Sequence, residues 1–89
     1  MRTRFKQIFQ ESIDKDAIKY HINKISQYKA AKEVHDSEGN IKFSDLADNV
    51  IQSHELAKNA HMREDENAYM YSLAAKNASR HYNQEAGKR

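Results

Sequence analysis

Small and apolar side chains recur every three or four residues along most of the chain, and one clear break, Ser37-Glu38-Gly39-Asn40, interrupts them. Spacing of three or four residues places side chains on one face of an α-helix. Gly and Asn tolerate a positive φ and commonly end helices, so the helix before the break is predicted to stop near residue 36. The chain has eleven Ala, two Gly and no Pro, which also favours helix. The sequence therefore predicts an all-α fold.

Three main helices are predicted, over about residues 14–36, 45–63 and 67–84. The second and third share one unbroken register, so the alternative is a single helix of about 40 residues. Three consecutive acids in the middle of this stretch favour a hairpin, because acids are unfavourable at a helix C-terminus and favourable at the next N-terminus. Asp65 or Asn67 then caps the third helix. The three segments have similar lengths, as an up-down-up three-helix bundle requires.

Short polar residues mark the other predicted helix starts. Ser12 or Asp14 is expected to cap the first helix, and Ser44 the second. Ile41 and Phe43 alternate with polar residues before Ser44 and are predicted to form a short extended linker that closes the end of the core.

The predicted core is small, because only 15 of the 89 residues are Leu, Ile, Val or Phe. Such a low share accompanies disorder when the net charge is high, but the net charge here is only +2. The charge is distributed in blocks: +4 over residues 1–35, −5 over 36–66 and +3 over 67–89. Opposite blocks allow helices to pack together or copies to assemble. We predict a folded bundle that gains stability from a partner.

Tyrosines on the third helix are predicted to contact a protein partner, since a tyrosine ring buries well at an interface while its hydroxyl stays hydrogen-bonded. These are Tyr69, Tyr71 and Tyr82. The alternative is a small regulator that binds nucleic acid or a host protein through lysines of the first helix. These are Lys15, Lys19, Lys24, Lys29 and Lys32. They do not share one narrow face, and the acidic middle block repels a polyanion, so a protein partner is favoured.

The histidines do not show metal-ligand spacing. His54 and His61 share a helix face but lie about 10 Å apart along it, and no Glu-x-x-His motif occurs. We therefore predict no metal and no cofactor, with His54 and His61 half-buried and His21 and His81 at the surface. The chain has no Cys, no glycine-rich phosphate loop and no nucleophile elbow. No catalytic residue is predicted, and the protein is not expected to be an enzyme.

The N-terminal residues 1–12 are predicted to form an arm with a short amphipathic helix ahead of the bundle of residues 13–86. The arm resembles the head-targeting segment of internal proteins in large contractile-tailed bacteriophages. That segment has basic residues, an aromatic, two polar residues, an apolar pair, any residue, a Glu and a small residue. The matching residues here are Arg2, Arg4, Phe5, Ile8, Phe9, Glu11 and Ser12. The resemblance implies entry into the assembling phage head and cleavage by a maturation protease after Glu11.

We therefore expect a non-enzymatic structural or interaction protein, a minor phage virion or head-associated component that docks to a protein partner. The partner is a second copy or a phage structural protein. In the arm, Phe5, Ile8 and Phe9 present an apolar stripe that is flanked by the basic residues Arg2, Arg4 and Lys6. The expected location is the host cytoplasm or the virion, with no membrane association, because no apolar run is long enough to span a bilayer.

Overall fold

The computed structural model describes residues 14–88, which form three α-helices joined by two short turns. Helix α1 spans Lys15–Ser37, α2 spans Ile41–Met62 and α3 spans Ala68–Gly87. There is no strand within residues 14–88. The predicted all-α three-helix bundle is confirmed. The predicted arm of residues 1–12 lies outside the described residues.

Helix α1 begins and ends at the signals that the sequence contains. The Asp14 carboxylate accepts a hydrogen bond from the Ala17 backbone N–H at 2.9 Å, so Asp14 is the N-cap. After Ser37 the chain turns through Gly39, whose φ of 72° is a conformation that residues with a Cβ rarely adopt. The predicted break between α1 and α2 is confirmed.

Helix α2 starts four residues earlier than predicted, so the prediction of an extended linker was wrong. Asn40 is the N-cap, and its side-chain oxygen accepts a hydrogen bond from the Phe43 backbone N–H at 3.2 Å. Ser44 lies inside the helix, where its hydroxyl donates to the Asp36 carboxylate. An early start allows Phe43 to join the buried face of α2, one turn before Ala47.

The turn after α2 confirms the hairpin and excludes a single helix of about 40 residues. Glu64 takes a positive φ of 57° there. The Asp65 carboxylate accepts a hydrogen bond from the Asn67 backbone N–H at 2.8 Å, and Asn67 occupies the N-cap position of α3 without a side-chain bond of its own. The acidic side chains thus lie next to the start of α3, where the helix dipole favours them.

Helix α2 lies in the middle of the bundle and packs against both neighbours. Its fully buried residues are mostly small, with Ala47, Val50 and Ala57 at 0% exposure. Small side chains allow helix axes to approach closely. In contrast, no Cα atom of α1 lies within 8 Å of a Cα atom of α3. The α1–α3 side of the bundle is therefore wider and is filled by larger side chains.

Candidate functional site

A chain of hydrogen bonds between histidines and serines crosses the interior of the bundle. The Nδ1 atoms of His21 and His54 lie 2.7 Å apart. His21 Nε2 lies 2.8 Å from Ser72 Oγ, and His61 Nε2 lies 2.8 Å from the same oxygen. His54 Nε2 lies 3.0 Å from Ser79 Oγ. We call these five residues the histidine–serine chain, and it connects all three helices.

The geometry of the histidine–serine chain allows two arrangements of the protons along it. Because His21 and His54 face each other through Nδ1, one of these nitrogens donates and the other accepts. If His21 donates, His54 donates through Nε2 to Ser79, while the Ser72 hydroxyl donates to His21 Nε2 and accepts from His61. All directions reverse together if His54 donates. In either arrangement one proton lies between the two Nδ1 atoms. A second proton at this contact would place two N–H groups against each other.

Burial makes both paired histidines weak bases. His21 is 1% exposed and His54 is 0% exposed. Burial lowers the pKa of His54 to about 4, and the nearby His21 and Lys24 act in the same direction. Burial also lowers the pKa of His21, with His61 and Lys76 adding to the effect and Asp14 opposing it. The neutral forms of both rings are thus favoured in the folded protein.

The histidine–serine chain does not form a metal site, since no group of three or more potential ligands converges within residues 14–88. Ser79, His54 and His21 are connected in the order of a nucleophile, a base and an orienting group. However, Ser79 lies inside α3, where the backbone N–H groups are hydrogen-bonded within the helix and do not form an oxyanion hole. A base with a pKa of about 4 is also weak. The arrangement is better suited to joining helices than to acyl transfer.

A second polar bridge joins the other ends of α1 and α3. His35 Nε2 lies 2.6 Å from the Tyr82 hydroxyl. The Tyr82 ring packs edge-on against Tyr28 and Phe43, with ring centroids 5.2 and 5.9 Å apart. His35 Nδ1 is buried without a hydrogen bond, and the Glu38 carboxylate lies 3.6 Å from it. This bridge, like the histidine–serine chain, replaces apolar packing between α1 and α3.

A groove runs along the surface between α1 and α3, above the histidine–serine chain. One part, with a volume of about 460 Å³, is lined by Tyr20 and Lys24 from α1 and by Lys76, Ser79 and Arg80 from α3. The Lys24 and Lys76 ammonium groups lie 5.6 and 5.8 Å from the centroid of the Tyr20 ring. We call this part the cationic groove.

The groove continues toward the start of α1, where its charge changes. This second part is lined by Asp14 and Asp16 as well as by Tyr20, Tyr69 and Lys76. Tyr69 donates a hydrogen bond to the Asp14 carboxylate at 3.4 Å. Lys76 and Tyr20 line both parts, so they form the boundary between a cationic end and an acidic end.

The outward surface of α3 carries three large apolar residues in its first two turns. Tyr69, Met70 and Leu73 are 66%, 67% and 55% exposed. Residues three and four apart are neighbours on a helix surface, so these side chains form one continuous patch. We call them the α3 apolar stripe.

The three tyrosines that the sequence assigned to a partner surface do not lie together. Tyr69 belongs to the α3 apolar stripe, and Tyr71 is exposed, but Tyr82 is half-buried and bonded to His35. The partner-binding residues and the cleavage site predicted in the arm lie outside the described residues. These are Arg2, Arg4, Phe5, Ile8 and Phe9, and Glu11 for the cleavage.

The five lysines proposed for nucleic-acid binding also separate. Lys15, Lys19 and Lys29 are exposed, whereas Lys24 lines the cationic groove. Lys32 donates hydrogen bonds to Asp36 and Ser44 at 3.1 and 3.2 Å, so its charge is already paired.

His21, Ser72 and Ser79 were missed by the sequence reasoning. His21 was placed at the surface, which was wrong, and His54 and His61 are more deeply buried than the half-buried state expected. Ile22, the residue after His21, is 49% exposed. The spacing Ile18-His21-Ile25-Tyr28 contained the correct signal, since it repeats at three and four residues. His81 is exposed, as predicted.

Comparison of the chain with protein families, with curated proteins and with solved structures gives no match. Within residues 14–88, every helix is too short or too polar to cross a lipid bilayer.

Proposed function

We propose that the protein is a non-enzymatic structural or interaction protein that docks to a protein partner through the α3 apolar stripe. The supporting observation is that Tyr69, Met70 and Leu73 are each more than half exposed and lie together on α3. The chain has few large apolar residues, and it leaves three of them on one outward surface. Covering such a patch removes apolar area from water and stabilises a complex.

The partner that we propose for this surface is a second copy of the chain. Charge complementarity supports it, because Glu66 and Arg80 each lie seven residues from Leu73, on opposite sides of it. If two copies pair their α3 helices antiparallel about Leu73, the turn that carries Glu66, directly ahead of α3, lies next to Arg80 of the other copy. The two helix dipoles then also run in opposite directions. Such a contact is isologous and closes as a dimer.

Sedimentation equilibrium across a range of protein concentrations tests this surface. Met70→Ala combined with Leu73→Ala is expected to weaken self-association at least about thirtyfold, since each lost apolar contact contributes about 1 kcal/mol or more. The matched control is Leu56→Ala, which removes a leucine that is 57% exposed on α2. Glu66→Arg is expected to weaken the dimer, and adding Arg80→Glu to restore it. A monomer at every concentration, or equal effects of stripe and control variants, would contradict the proposal.

The setting that we propose is the head of a contractile-tailed phage, with the protein as a minor virion or head-associated component. Support comes from the head-targeting-like segment, and from the position of its Glu11 relative to the bundle. The N-cap of α1 is Asp14, so cleavage after Glu11 leaves the cap and all three helices in one piece. The arm can therefore direct the protein into the head and then be cleaved off, while the bundle keeps its contacts.

Mass spectrometry of the protein from assembled phage heads tests the setting. Cleavage predicts a chain that begins at Ser12, and Glu11→Gln predicts an uncut chain. Phe5→Ala combined with Phe9→Ala is expected to prevent incorporation without changing helix content by circular dichroism. Incorporation of this double variant at the wild-type level would exclude the arm as the segment that directs the protein into the head.

A further inference from the structure

Within residues 14–88, no acidic side chain forms an ion pair with the cations of the cationic groove. The ion pairs within residues 14–88 use the cations of Lys32, His35, Lys42, Arg63 and Lys88. None of them involves Lys24, Lys76 or Arg80, although these three line one groove. Like charges held close together repel, and an opposite charge between them removes that cost.

The ring of Tyr20 lies beneath Lys24 and Lys76 and orients their ammonium groups. Both ammonium groups lie within 6 Å of the Tyr20 ring centroid, in the range of cation–π attraction. Tyr20 itself packs edge-on against His21 and His54, with ring centroids 5.3 and 5.9 Å apart. A buried histidine pair thus supports the ring that orients the two cations. Less side-chain freedom is then lost when an anion binds.

The shape and charge of the groove limit the size of the anion. Toward the start of α1 the groove passes Asp14 and Asp16, which repel a phosphate chain that extends in that direction. The ring of Tyr20 is approached by both lysines, so it is not a free platform for stacking a nucleobase. A long single strand of nucleic acid therefore fits poorly, whereas a compact anion with several charges fits the space of about 460 Å³.

We propose that the cationic groove binds a compact multivalent anion of the oligophosphate class, held by Lys24 and Lys76 with Arg80 at the rim. Ser79 lines the same space, and in the arrangement in which its hydroxyl accepts from His54 Nε2 its proton is available to the anion. The same chemistry occurs in free inorganic oligophosphate and in the phosphate tail of a nucleotide. Lys24 and Lys76 lie outside the α3 apolar stripe, so anion binding does not require the dimer, and Arg80 is the one residue that the two sites share.

Anion binding in the groove is expected to change the pKa values of the histidines beneath it. After burial itself, the charges of Lys24 and Lys76 contribute to the lowered pKa of His54 and of His21, respectively. A bound anion neutralises these charges, so it is expected to raise the pKa of both rings. An anion attached elsewhere on the surface would not do so, because the electrostatic effect falls with distance and screening.

Calorimetric titration of the full chain with sodium tripolyphosphate at low ionic strength tests the site. Saturable 1:1 binding is expected, and Lys24→Gln is expected to weaken it about tenfold, as the loss of one charge contact implies. The matched control is Lys29→Gln, which removes an exposed cation from the same helix outside the groove. Arg80 is left intact because it also belongs to the proposed dimer contact.

Two further titrations distinguish the ligands. Equal affinity for tripolyphosphate and a nucleoside triphosphate indicates recognition of the phosphate tail alone, whereas tighter binding of the nucleotide indicates that the base adds contacts, and both support the site. Proton NMR of the histidine rings is expected to show a raised pKa for His21 and His54 in the presence of tripolyphosphate. Absence of binding, equal weakening in Lys29→Gln, or tighter binding of a single-stranded oligonucleotide would overturn the proposal.

Discussion

Small and apolar side chains form most of the packing of α2 against its two neighbours, whereas α1 and α3 meet through polar and aromatic side chains. Ala47, Val50 and Ala57 are fully buried on the α2 side. On the other side, the bonds from His21 to Ser72 and from His35 to Tyr82 bridge backbones that are more than 8 Å apart. Apolar packing does not depend on protonation, but a histidine hydrogen bond does. The histidine contacts, including those that His54 and His61 make from α2, are therefore expected to respond to pH, and the apolar packing is not.

The largest expected effect is on the apolar side. Ile51 is 6% exposed and packs in a cluster with Ile25, Tyr28 and Val50. Ile51→Ala removes buried methyl groups and leaves a cavity, so the free energy of unfolding is expected to fall by about 4 kcal/mol. Leu56→Ala, at an exposed position of the same helix, is expected to change it by less than about 0.5 kcal/mol. Urea unfolding followed by circular dichroism measures both, and similar losses in the two variants would contradict the burial argument.

The second prediction concerns acid. His54 has an ordinary pKa of 6.5 in the unfolded chain and about 4 in the folded protein. Below pH 6.5 the unfolded chain therefore binds a proton that the folded protein does not, and stability falls as the pH decreases toward 4. The full loss over this window is about 3 kcal/mol. The contribution of His54 is complete above pH 6.5.

Carboxylates do not obscure this prediction in the upper part of the window. The pKa values of Asp36, Asp65 and Glu85 are also lowered, through hydrogen bonds with neighbouring groups and nearby cations, but from ordinary values of 3.8 to 4.5. Their contributions are lost below those values, so urea midpoints between pH 6.5 and 5 report mainly on the histidines. His54→Gln is expected to flatten the dependence, and the exposed control His81→Gln to leave it unchanged. A wild-type midpoint that stays constant over this range would refute the prediction.

The smallest effect is expected at a single hydrogen-bonded hydroxyl. Ser72 Oγ contacts both His21 and His61, so Ser72→Ala leaves two buried ring nitrogens without this partner. The expected cost is about 2 kcal/mol. Hydrogen exchange is expected to increase near His21, His61 and Ser72 more than near the His35–Tyr82 bridge. Ser26→Ala, at an exposed position of α1, is the control and should change little. Uniform acceleration along all three helices would mean that the hydroxyl does not act locally through its two histidine partners.

Local signals in the sequence were sufficient to predict the three helices and the two turns between them. Gly39 and the three acids after Arg63 mark the two turns, and Asp14 marks the start of α1, because caps and turns depend on neighbouring backbone groups. The start of α2 was misplaced because Asn40 and Ser44 are both good N-caps. The burial of Phe43 decided between them, and burial depends on contacts with other helices.

The residues of the candidate sites were harder to predict from the sequence than the helices, because they come together only in the tertiary structure. His21, His54 and Ser72 are separated by 33 and 18 positions, and nothing in the sequence pairs them before the helices are assembled. Charge spacing likewise did not distinguish Lys24, which lines the groove, from Lys29, which is exposed elsewhere. The partner of a side chain across a bundle is set by helix rotation and depth, which periodicity fixes only approximately.

The sequence by itself determined an all-α chain with two turns and a small core, because helical periodicity, caps and glycine act over a few residues. The tertiary structure decided what fills that core. With few large aliphatic residues available, the wide α1–α3 side is closed by a histidine–serine chain and by the His35–Tyr82 bridge. Hydrogen bonds of this kind form only when three helices bring donors and acceptors to within about 3 Å of each other in the right orientation.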